Sequence, residues 1–315
     1  MELRRLGKTG LRVSAVGLGC NNFGDRCDFE ATRRVIDKAI DSGITFFDTS
    51  DTYGKRGGSE TFMGRALGAR RQNIVLASKF GLPMADDMLT RGAARRYIMR
   101  AVEASLKRLQ TDWLDLYQVH FPDPLTPIEE TLRALDDLVR QGKVRYIGCC
   151  NFASWMAVEG LWTSRHFNLE SFVTVQNHYS LLWLKDVQPD LLAAAAAYGL
   201  GLLPYYPLAG GFLTGKYRRR EAMPEGARLS NTKRLSDRYV TETNWDRIEK
   251  LEAYAKGHGR GLLDLAFAWL LAHPVIPSVI AGATKPEQID ANVKAGEWVL
   301  TEDQKAEVDK IVAAG

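Results

Sequence analysis

The sequence predicts an α/β protein folded as a (β/α)8 TIM barrel, and two observations lead to this prediction. Eight short β-rich runs recur along the chain, and the segments between them have the apolar periodicity of amphipathic helices, as in 98–109 and 128–139. Such alternation indicates parallel strands joined by crossover helices, and eight units favour a closed barrel over an open doubly wound sheet, the alternative. The eight runs are residues 13–16, 44–47, 74–77, 113–119, 144–148, 172–175, 201–203 and 278–281.

The elements outside these eight units are predicted next. Residues 3–13 have two glycines near their middle and are expected to form a β-hairpin that plugs the bottom of the barrel. Residues 207–243, rich in Gly, Arg, Pro and Ser, are expected to be a long irregular loop that acts as a lid. Additional C-terminal helices are predicted over 244–257, 261–273 and 302–312. No linker interrupts the chain, so a single domain over 1–315 is expected.

Composition excludes several classes of protein. Hydrophobic residues make up 45% of the chain and charged residues 25%, as in a globular protein with a substantial core. The 42 basic and 38 acidic residues are too evenly spread for a nucleic-acid surface. Neither a membrane-spanning run nor a secretion signal is evident, so no membrane contact and a cytoplasmic location are expected. The spacing of the histidines and cysteines predicts neither a metal site nor a disulfide framework. The four cysteines are Cys20, Cys27, Cys149 and Cys150.

Polar residues collect just after the predicted strands, where the active site of a (β/α)8 barrel lies. Asp48 and Tyr53 follow the second run, Lys79 follows the third, and His120 follows the fourth. A neighbouring ammonium lowers the pKa of a tyrosine by stabilising the phenolate, and a carboxylate holds that ammonium in place. An imidazole at His120 would orient a carbonyl oxygen toward the proton donor. The set suits reduction of a carbonyl compound.

Each of these residues also has an ordinary structural explanation. Asp48 can cap the following helix, and Lys79 can be solvated. His120 can be a satisfied core residue, and Tyr53 can simply pack. Chance does not easily explain why all four follow predicted strands.

Eight segments carry a family resemblance: LGKTGLRVSAVGLGC, FFDTSDTYG, LASKF, DLYQVHFPD, IGCCNF, TVQNHYSLL, LPYYPLAGGFLTGKY and IAGATKPEQIDAN. Through them the chain resembles the aldo-keto reductase family, in the bacterial-type branch related to the potassium-channel β-subunit-like reductases. The resemblance implies the family's catalytic tetrad at Asp48, Tyr53, Lys79 and His120, with Tyr53 as proton donor and NADPH as hydride donor. It also implies a cofactor bound without a Rossmann fold, in keeping with the absence of a GxGxxG motif after the first strand.

The resemblance further implies which residues contact the cofactor. Tyr205 would stack on the nicotinamide ring. The rest of the nicotinamide half would meet Gly19, Cys20, Asn21, Asp48, Cys150, Asn151 and Gln176. The remainder of the cofactor would meet Tyr206, Pro207, Leu208, Gly210, Gly215, Lys216, Arg228, Gly282, Thr284, Lys285, Gln288 and Asn292.

The glycine-rich stretch 210–216 nearly spells the phosphate-binding loop of a nucleoside triphosphatase. Tyr217 stands where that motif needs a magnesium-binding Ser or Thr, which excludes such an enzyme. A glycine-rich loop ending in Lys216 still suits a pyrophosphate. A helix that begins near Lys285 would place its amino end at the adenosine 2′-phosphate, which favours NADPH over NADH.

The chain departs from the family pattern at several cofactor positions. Several branches have basic residues where Gly282 and Gln288 stand, and an acidic residue where Ala291 stands. Cys150 and Tyr206 each replace a common serine. Contacts around the carboxamide therefore do not transfer residue by residue.

Two other functions compete with an NADPH-dependent carbonyl reductase. Lys79 would serve as the Schiff-base lysine of a barrel aldolase, although an aldolase needs no glycine-rich phosphate loop. Some relatives are cofactor-sensing channel subunits with vestigial chemistry, but the tetrad here is complete. The expected partner is a small carbonyl substrate, with no nucleic acid, no membrane and no obligate protein partner. Candidate residues for its pocket are Phe23, Phe80, Phe121, Phe152, Trp183 and Tyr206.

Overall fold

The computed structural model describes residues 1–314, and it confirms the predicted (β/α)8 barrel. Eight parallel strands form one nearly closed sheet in the order β10-β3-β4-β5-β6-β7-β8-β9, and the backbone bond from Leu202 N to Val275 O helps to join its two edges. The strands are β1 (Leu3–Arg5), β2 (Arg12–Ser14), β3 (Val16–Gly19), β4 (Phe46–Asp48), β5 (Val75–Phe80), β6 (Leu114–Val119), β7 (Val144–Cys150), β8 (Phe172–His178), β9 (Gly201–Tyr205) and β10 (Val279–Gly282).

The predicted N-terminal hairpin is present, with β1 antiparallel to β2. Its turn lies against the amino ends of β8 and β9, where a Cβ atom on Gly7 would come within 2.5 Å of Val173 O. Leu6 and Val13 are buried in the interior core of the barrel, beside inward-facing residues such as Phe46 and Leu116. The hairpin therefore closes the amino end of the barrel, opposite to the strand ends that carry the predicted site.

One strand boundary was predicted wrongly. The run 13–16, expected to be the first barrel strand, is divided between β2 of the hairpin and the start of β3. Only Ala15 separates these two strands, and it is buried like its neighbours. A continuous buried run thus concealed the point at which the chain leaves one sheet and enters the next.

Twelve α-helices are found in residues 1–314, and most of them cover the outside of the barrel. The helical periodicity noted in 98–109 and 128–139 falls within α3 and α4, and the three predicted C-terminal helices correspond to α9, α10 and α12. The helices are α1 (Phe29–Asp41), α2 (Tyr53–Leu67), α3 (Arg95–Leu109), α4 (Ile128–Arg140), α5 (Ser154–Phe167), α6 (Asp190–Tyr198), α7 (Arg228–Asn231), α8 (Lys233–Tyr239), α9 (Glu242–Gly257), α10 (Leu262–Leu271), α11 (Pro286–Ala295) and α12 (Glu302–Ala313).

The segment 207–243 is more ordered than the irregular loop that was predicted. It contains a 3-10 turn at Ala209–Thr214 and the short helices α7 and α8. Arg219 anchors it to α9, because its guanidinium contacts Glu242 and lies 2.8 Å from Asp246 Oδ1 and 3.2 Å from Glu249 Oε2.

Residues 1–314 show neither a membrane-spanning helix nor a metal-binding cluster. Every helix within 1–314 is too short or too polar to span a lipid bilayer. The same residues contain no cluster of three or more His, Cys, Asp or Glu side chains arranged to hold a metal ion.

Candidate active site

A buried lysine is the centre of the candidate active site. Lys79, on β5, has no solvent exposure, and its Nζ lies 2.6 Å from Asp48 Oδ2, at the end of β4. The same ammonium donates to Thr49 O at 2.8 Å and reaches the hydroxyl of Tyr53 at 3.5 Å. The structure thus brings together three of the four residues that the sequence predicted.

The second carboxylate oxygen of Asp48 accepts hydrogen bonds from two amides. Gln118 Nε2, on β6, lies 3.3 Å from Asp48 Oδ1, and Gln176 Nε2, on β8, lies 3.0 Å from it. With Lys79 on the other oxygen, the carboxylate is fixed from three strands. A buried charge is tolerated only when it is paired and hydrogen-bonded in this way.

The backbone that follows β4 presents Tyr53 to the site through an unusual turn. Gly54, Lys55, Arg56 and Gly57 all have positive φ angles, and the regular part of α2 begins only after them. A Cβ atom on Gly54 would lie 2.4 Å from Phe23 O, so only glycine fits there. Because of this turn, the backbone at Tyr53 does not continue in the conformation of the helix that follows.

Burial and charge act in opposite directions on this cluster. Burial is the largest single effect on the pKa of Lys79 and lowers it, but the charge and hydrogen bond of Asp48, with Tyr53 and Cys150, together outweigh burial. The pKa of Lys79 is therefore raised, and the lysine is charged. The pKa of Tyr53 is raised to about 12, mainly by burial; the charge of Lys79 opposes this increase and that of Asp48 adds to it. Lys79 therefore acts on Tyr53 in the expected direction, yet desolvation exceeds its effect.

His120 completes the predicted set immediately after β6. Its ring meets the ring of Tyr53 edge-on, with 5.8 Å between centroids, and its Nδ1 lies 3.1 Å from Ser50 Oγ. Burial, assisted by the charge of Lys79, holds the pKa of His120 well below its usual range. The imidazole is therefore neutral at physiological pH, with one ring proton to donate.

A stack of rings stands beside this cluster at the end of β8 and β9. Tyr205 donates to Asn151 Oδ1 at 2.7 Å, and its ring is stacked on that of His178 with centroids 5.3 Å apart. His178 in turn stacks on Trp183, and its Nε2 contacts the hydroxyl of Tyr239 on α8. Burial, with Arg238 and Lys185 next in effect, lowers the pKa of His178 to about 3.

Sequence reasoning missed this role of His178. The only signal was its position, two residues after Gln176 at the end of the same strand. Its contact with Trp183 comes from the loop that directly follows β8, but its contact with Tyr239 on α8 spans 61 residues, and no spacing in the sequence shows it. The consequence is a direct link between the segment 207–243 and Tyr205.

The cluster opens into a cavity of about 990 Å³ at the carboxyl ends of the strands. Its wall includes every predicted catalytic and cofactor residue except Lys79, Cys150 and Gly215. Lys79 and Cys150 are buried behind the wall. Of the six aromatic residues considered for the substrate, Phe121, Trp183 and Tyr206 line the cavity, whereas Phe23, Phe80 and Phe152 belong to the core. Residues on the wall that were not predicted include Asn22, Arg26, His178, Arg234, Arg238 and Leu263.

Positive charge lines the cavity. Lys216, Arg228 and Lys285 are on its wall, and Arg26, Arg234 and Arg238 bring the number of cationic side chains there, within residues 1–314, to six. The guanidinium of Arg228 lies 5.1 Å from the centroid of the Tyr206 ring. A cavity of this size, lined by an aromatic stack and by cations, fits an extended dinucleotide.

The amino end of α11 differs in one detail from the predicted contacts. Gln288 Oε1 accepts from the backbone N of Thr284 at 2.7 Å and from that of Lys285 at 3.2 Å. This side chain therefore caps its own helix, and its oxygen is not available to a ligand. The nearby Lys285 carries the charge at this end of the cavity.

Comparison with known proteins agrees with this geometry. The Aldo/keto reductase family model matches residues 15–313. The "Uncharacterized oxidoreductase YrpG" of Bacillus subtilis is 38% identical over 315 residues, which cover 96% of this chain and 93% of that protein. A "Probable voltage-gated potassium channel subunit beta" of Arabidopsis thaliana is 34% identical over 303 residues, 94% and 91% of the two chains. An "L-glyceraldehyde 3-phosphate reductase" of Escherichia coli K12 is 31% identical over 326 residues, 100% and 93% of the two chains. The resemblance seen in the sequence is confirmed, and the chain belongs to the aldo/keto reductase family of oxidoreductases.

Proposed function

We propose that the protein reduces aldehydes or ketones to alcohols with NADPH, and that Tyr53 delivers the proton. The observation that carries this proposal is the contact of Lys79 Nζ with both Asp48 and Tyr53, at the wall of a cavity large enough for a dinucleotide. Bound NADPH supplies a hydride to the carbonyl carbon. The residues of the chain then have to bind the carbonyl oxygen and provide its proton.

Tyr53 is suited to hold that proton until it is needed. With a pKa of about 12, the hydroxyl is protonated at neutral pH, so it is an acid rather than a base at the start of the reaction. When the proton moves to the substrate oxygen, the ammonium of Lys79 at 3.5 Å stabilises the remaining phenolate. His120, neutral and on the same wall, offers an N–H to the same oxygen and fixes its position.

The cofactor would be held along the length of the cavity. Asn151, Gln176 and the ring of Tyr205 would hold the nicotinamide, and residues 210–216 would cover the pyrophosphate. Lys285 at the amino end of α11 would pair with the 2′-phosphate, which is the basis for preferring NADPH. Replacement Lys285→Met should raise the KM for NADPH up to about fivefold and leave that for NADH unchanged. Equal effects on both cofactors would argue against this contact.

The aldolase alternative is disfavoured by the state of Lys79. A Schiff base forms from a neutral amine, and an enzyme that uses one lowers the pKa of its lysine. Here Asp48 lies 2.6 Å from Nζ and the pKa of Lys79 is raised. Borohydride trapping with a carbonyl substrate should therefore leave the protein unmodified.

The decisive experiment follows the loss of NADPH absorbance with a nitro-substituted benzaldehyde, in the native protein and in Tyr53→Phe. The native protein should consume NADPH, and the variant should lose most of its kcat while retaining NADPH binding. If neither protein turns over although NADPH binds, the cofactor-sensing function becomes the leading hypothesis.

A further inference from the structure

A buried hydrogen-bond chain lies behind His120, on the side away from the cavity. Ser50 Oγ is 3.1 Å from His120 Nδ1 and donates to Asp51 Oδ1, also at 3.1 Å. Ser50 and Asp51 are almost completely buried. We infer that Asp51, acting through Ser50, is a positioning residue that selects which ring nitrogen of His120 carries the proton. This inference rests on the proposed function, because His120 is taken to bind the substrate oxygen.

The count of protons gives the reason. Neutral His120 has one ring proton. The hydroxyl of Ser50 has one proton to place among three neighbours, which are Asp51 Oδ1, His120 Nδ1 and Thr52 Oγ1, each 3.1 Å away; its oxygen also accepts from Thr52 N at 3.3 Å. An ionised carboxylate is a stronger acceptor than an imidazole nitrogen, so Ser50 donates to Asp51 when Asp51 is charged. His120 must then donate from Nδ1 to Ser50 Oγ. Its Nε2, the nitrogen left for a ligand, carries only a lone pair.

Protonation of Asp51 reverses the chain. The carboxylic acid donates to Ser50 Oγ, Ser50 donates to His120 Nδ1, and the ring proton of His120 stands on Nε2. That tautomer donates a hydrogen bond to a carbonyl oxygen, as reduction requires. The lone pair of the other tautomer accepts from the hydroxyl of an alcohol, as oxidation requires. The protonation state of Asp51 therefore sets which direction of the reaction the site favours.

The surroundings of Asp51 allow this protonation near neutral pH. The titratable groups that face it are Glu60 on α2, Tyr97 and Arg108 on α3, and Tyr117 on β6. Arg108 Nε is 2.7 Å from Glu60 Oε2, and the structure of residues 1–314 gives Asp51 no ion pair of its own. Burial, together with the like charge of Glu60, raises the pKa of Asp51 to about 7.

In the part of the chain that the structure describes, no other titratable group that faces His120 changes its protonation state near neutral pH. Lys79 and Tyr53 are the charged and titratable side chains on its other faces. Lys79 stays charged and Tyr53 stays protonated throughout the neutral range, since the pKa of each is raised. A change between pH 6 and pH 8 is thus assigned to Asp51.

The tautomer can be measured without cofactor or substrate. We would record the side-chain ¹⁵N resonances of His120 by long-range ¹H–¹⁵N spectroscopy of the whole protein, assigned by their loss in His120→Asn. In the native protein the proton should move from Nε2 at pH 6 to Nδ1 at pH 8. In Asp51→Asn it should stay on Nε2 at both values, because the hydroxyl of Tyr97, 3.4 Å from Oδ2, directs the amide NH2 toward Ser50.

Kinetics supply the second readout. For carbonyl reduction by the native protein, kcat/KM should fall about tenfold from pH 6 to pH 8, the value of one substrate hydrogen bond. Both Asp51→Asn and Ser50→Ala should remove this fall. The matched control is Asp136→Asn, which alters a buried carboxylate on α4 bonded to Arg140 and to Glu170 N and should keep the native profile.

The outcomes separate this inference from the proposed function. A native His120 that keeps one tautomer at both pH values, or a switch that persists in Asp51→Asn, overturns the role of Asp51 even if the protein is an active reductase. A switch that follows Asp51 in a protein without reductase activity upholds the role of Asp51 and overturns the proposed function instead.

Discussion

Replacement Lys79→Met is the sharpest test of how the buried cluster works. Methionine keeps an unbranched side chain, one atom shorter, and removes the charge that lies 3.5 Å from the Tyr53 hydroxyl. With an effective dielectric constant of about 20, a unit charge at that distance stabilises a phenolate by about 5 kcal/mol, and the charge of Asp48 offsets part of it. The loss of kcat should therefore be about 10²- to 10³-fold, within the range of general acid catalysis.

The same replacement leaves Asp48 buried without its cation, which should cost about 3–5 kcal/mol of stability. The double variant Lys79→Met with Asp48→Asn removes that unpaired charge, so its stability should recover while its activity does not. The assays are NADPH consumption for kcat, fluorescence titration for NADPH binding and thermal unfolding for stability. A single variant with native kcat, or a double variant whose activity returns with its stability, would refute the proposed role of Lys79.

Three further predictions test other parts of the structure. Tyr239→Phe removes the hydroxyl that contacts His178 and should raise the dissociation constant for NADPH about fivefold, as measured by quenching of tryptophan fluorescence. An unchanged constant would contradict the connection between α8 and Tyr205 through His178. The pKa of Asp51 is about 7 in the folded protein and 3.8 for an unperturbed carboxyl, so between these pH values the folded state binds more protons than the unfolded state and stability falls as pH rises. In denaturant titrations, Asp51→Asn should therefore be more stable than the native protein at pH 8, by up to about 4 kcal/mol, and should differ little from it below pH 4. Gly64→Ala places a Cβ atom 2.4 Å from a backbone carbonyl of α3 and should lose about 1–3 kcal/mol in the same titrations, whereas Gly257→Ala, which meets no atom within 4 Å, should be neutral or better.

The barrel was predictable because its pattern is repeated eight times, so an error in one unit did not change the conclusion. The error at 13–16 arose because the last two residues of β2 and all of β3 are buried and the two strands are nearly contiguous, and burial alone does not say which sheet a residue joins. The helices α7 and α8 were missed for a different reason. They span only 4 and 7 residues, too short to show helical periodicity.

Sequence could predict those parts of the candidate site in which a single residue at the end of a strand supplies the chemical group. Asp48 and Lys79 are such residues, and their contact follows from adjacent parallel strands. The net pKa of Tyr53 was not predictable, because it depends on how much water the fold excludes. Asp51 and Ser50 are next to predicted residues in the sequence, yet only the structure shows that Ser50 Oγ lies between a carboxylate and an imidazole.

The hairpin that closes the amino end of the barrel separates two kinds of evolutionary change. Leu6 and Val13 pack into the interior core at one end, whereas Tyr53 and His120 line a cavity at the other. Substitutions in the hairpin should therefore affect mainly the amount of folded protein. Substitutions in the loops around the cavity should affect mainly turnover and the choice of substrate. Substrate preference can therefore change at the open end while the closed end keeps the fold stable.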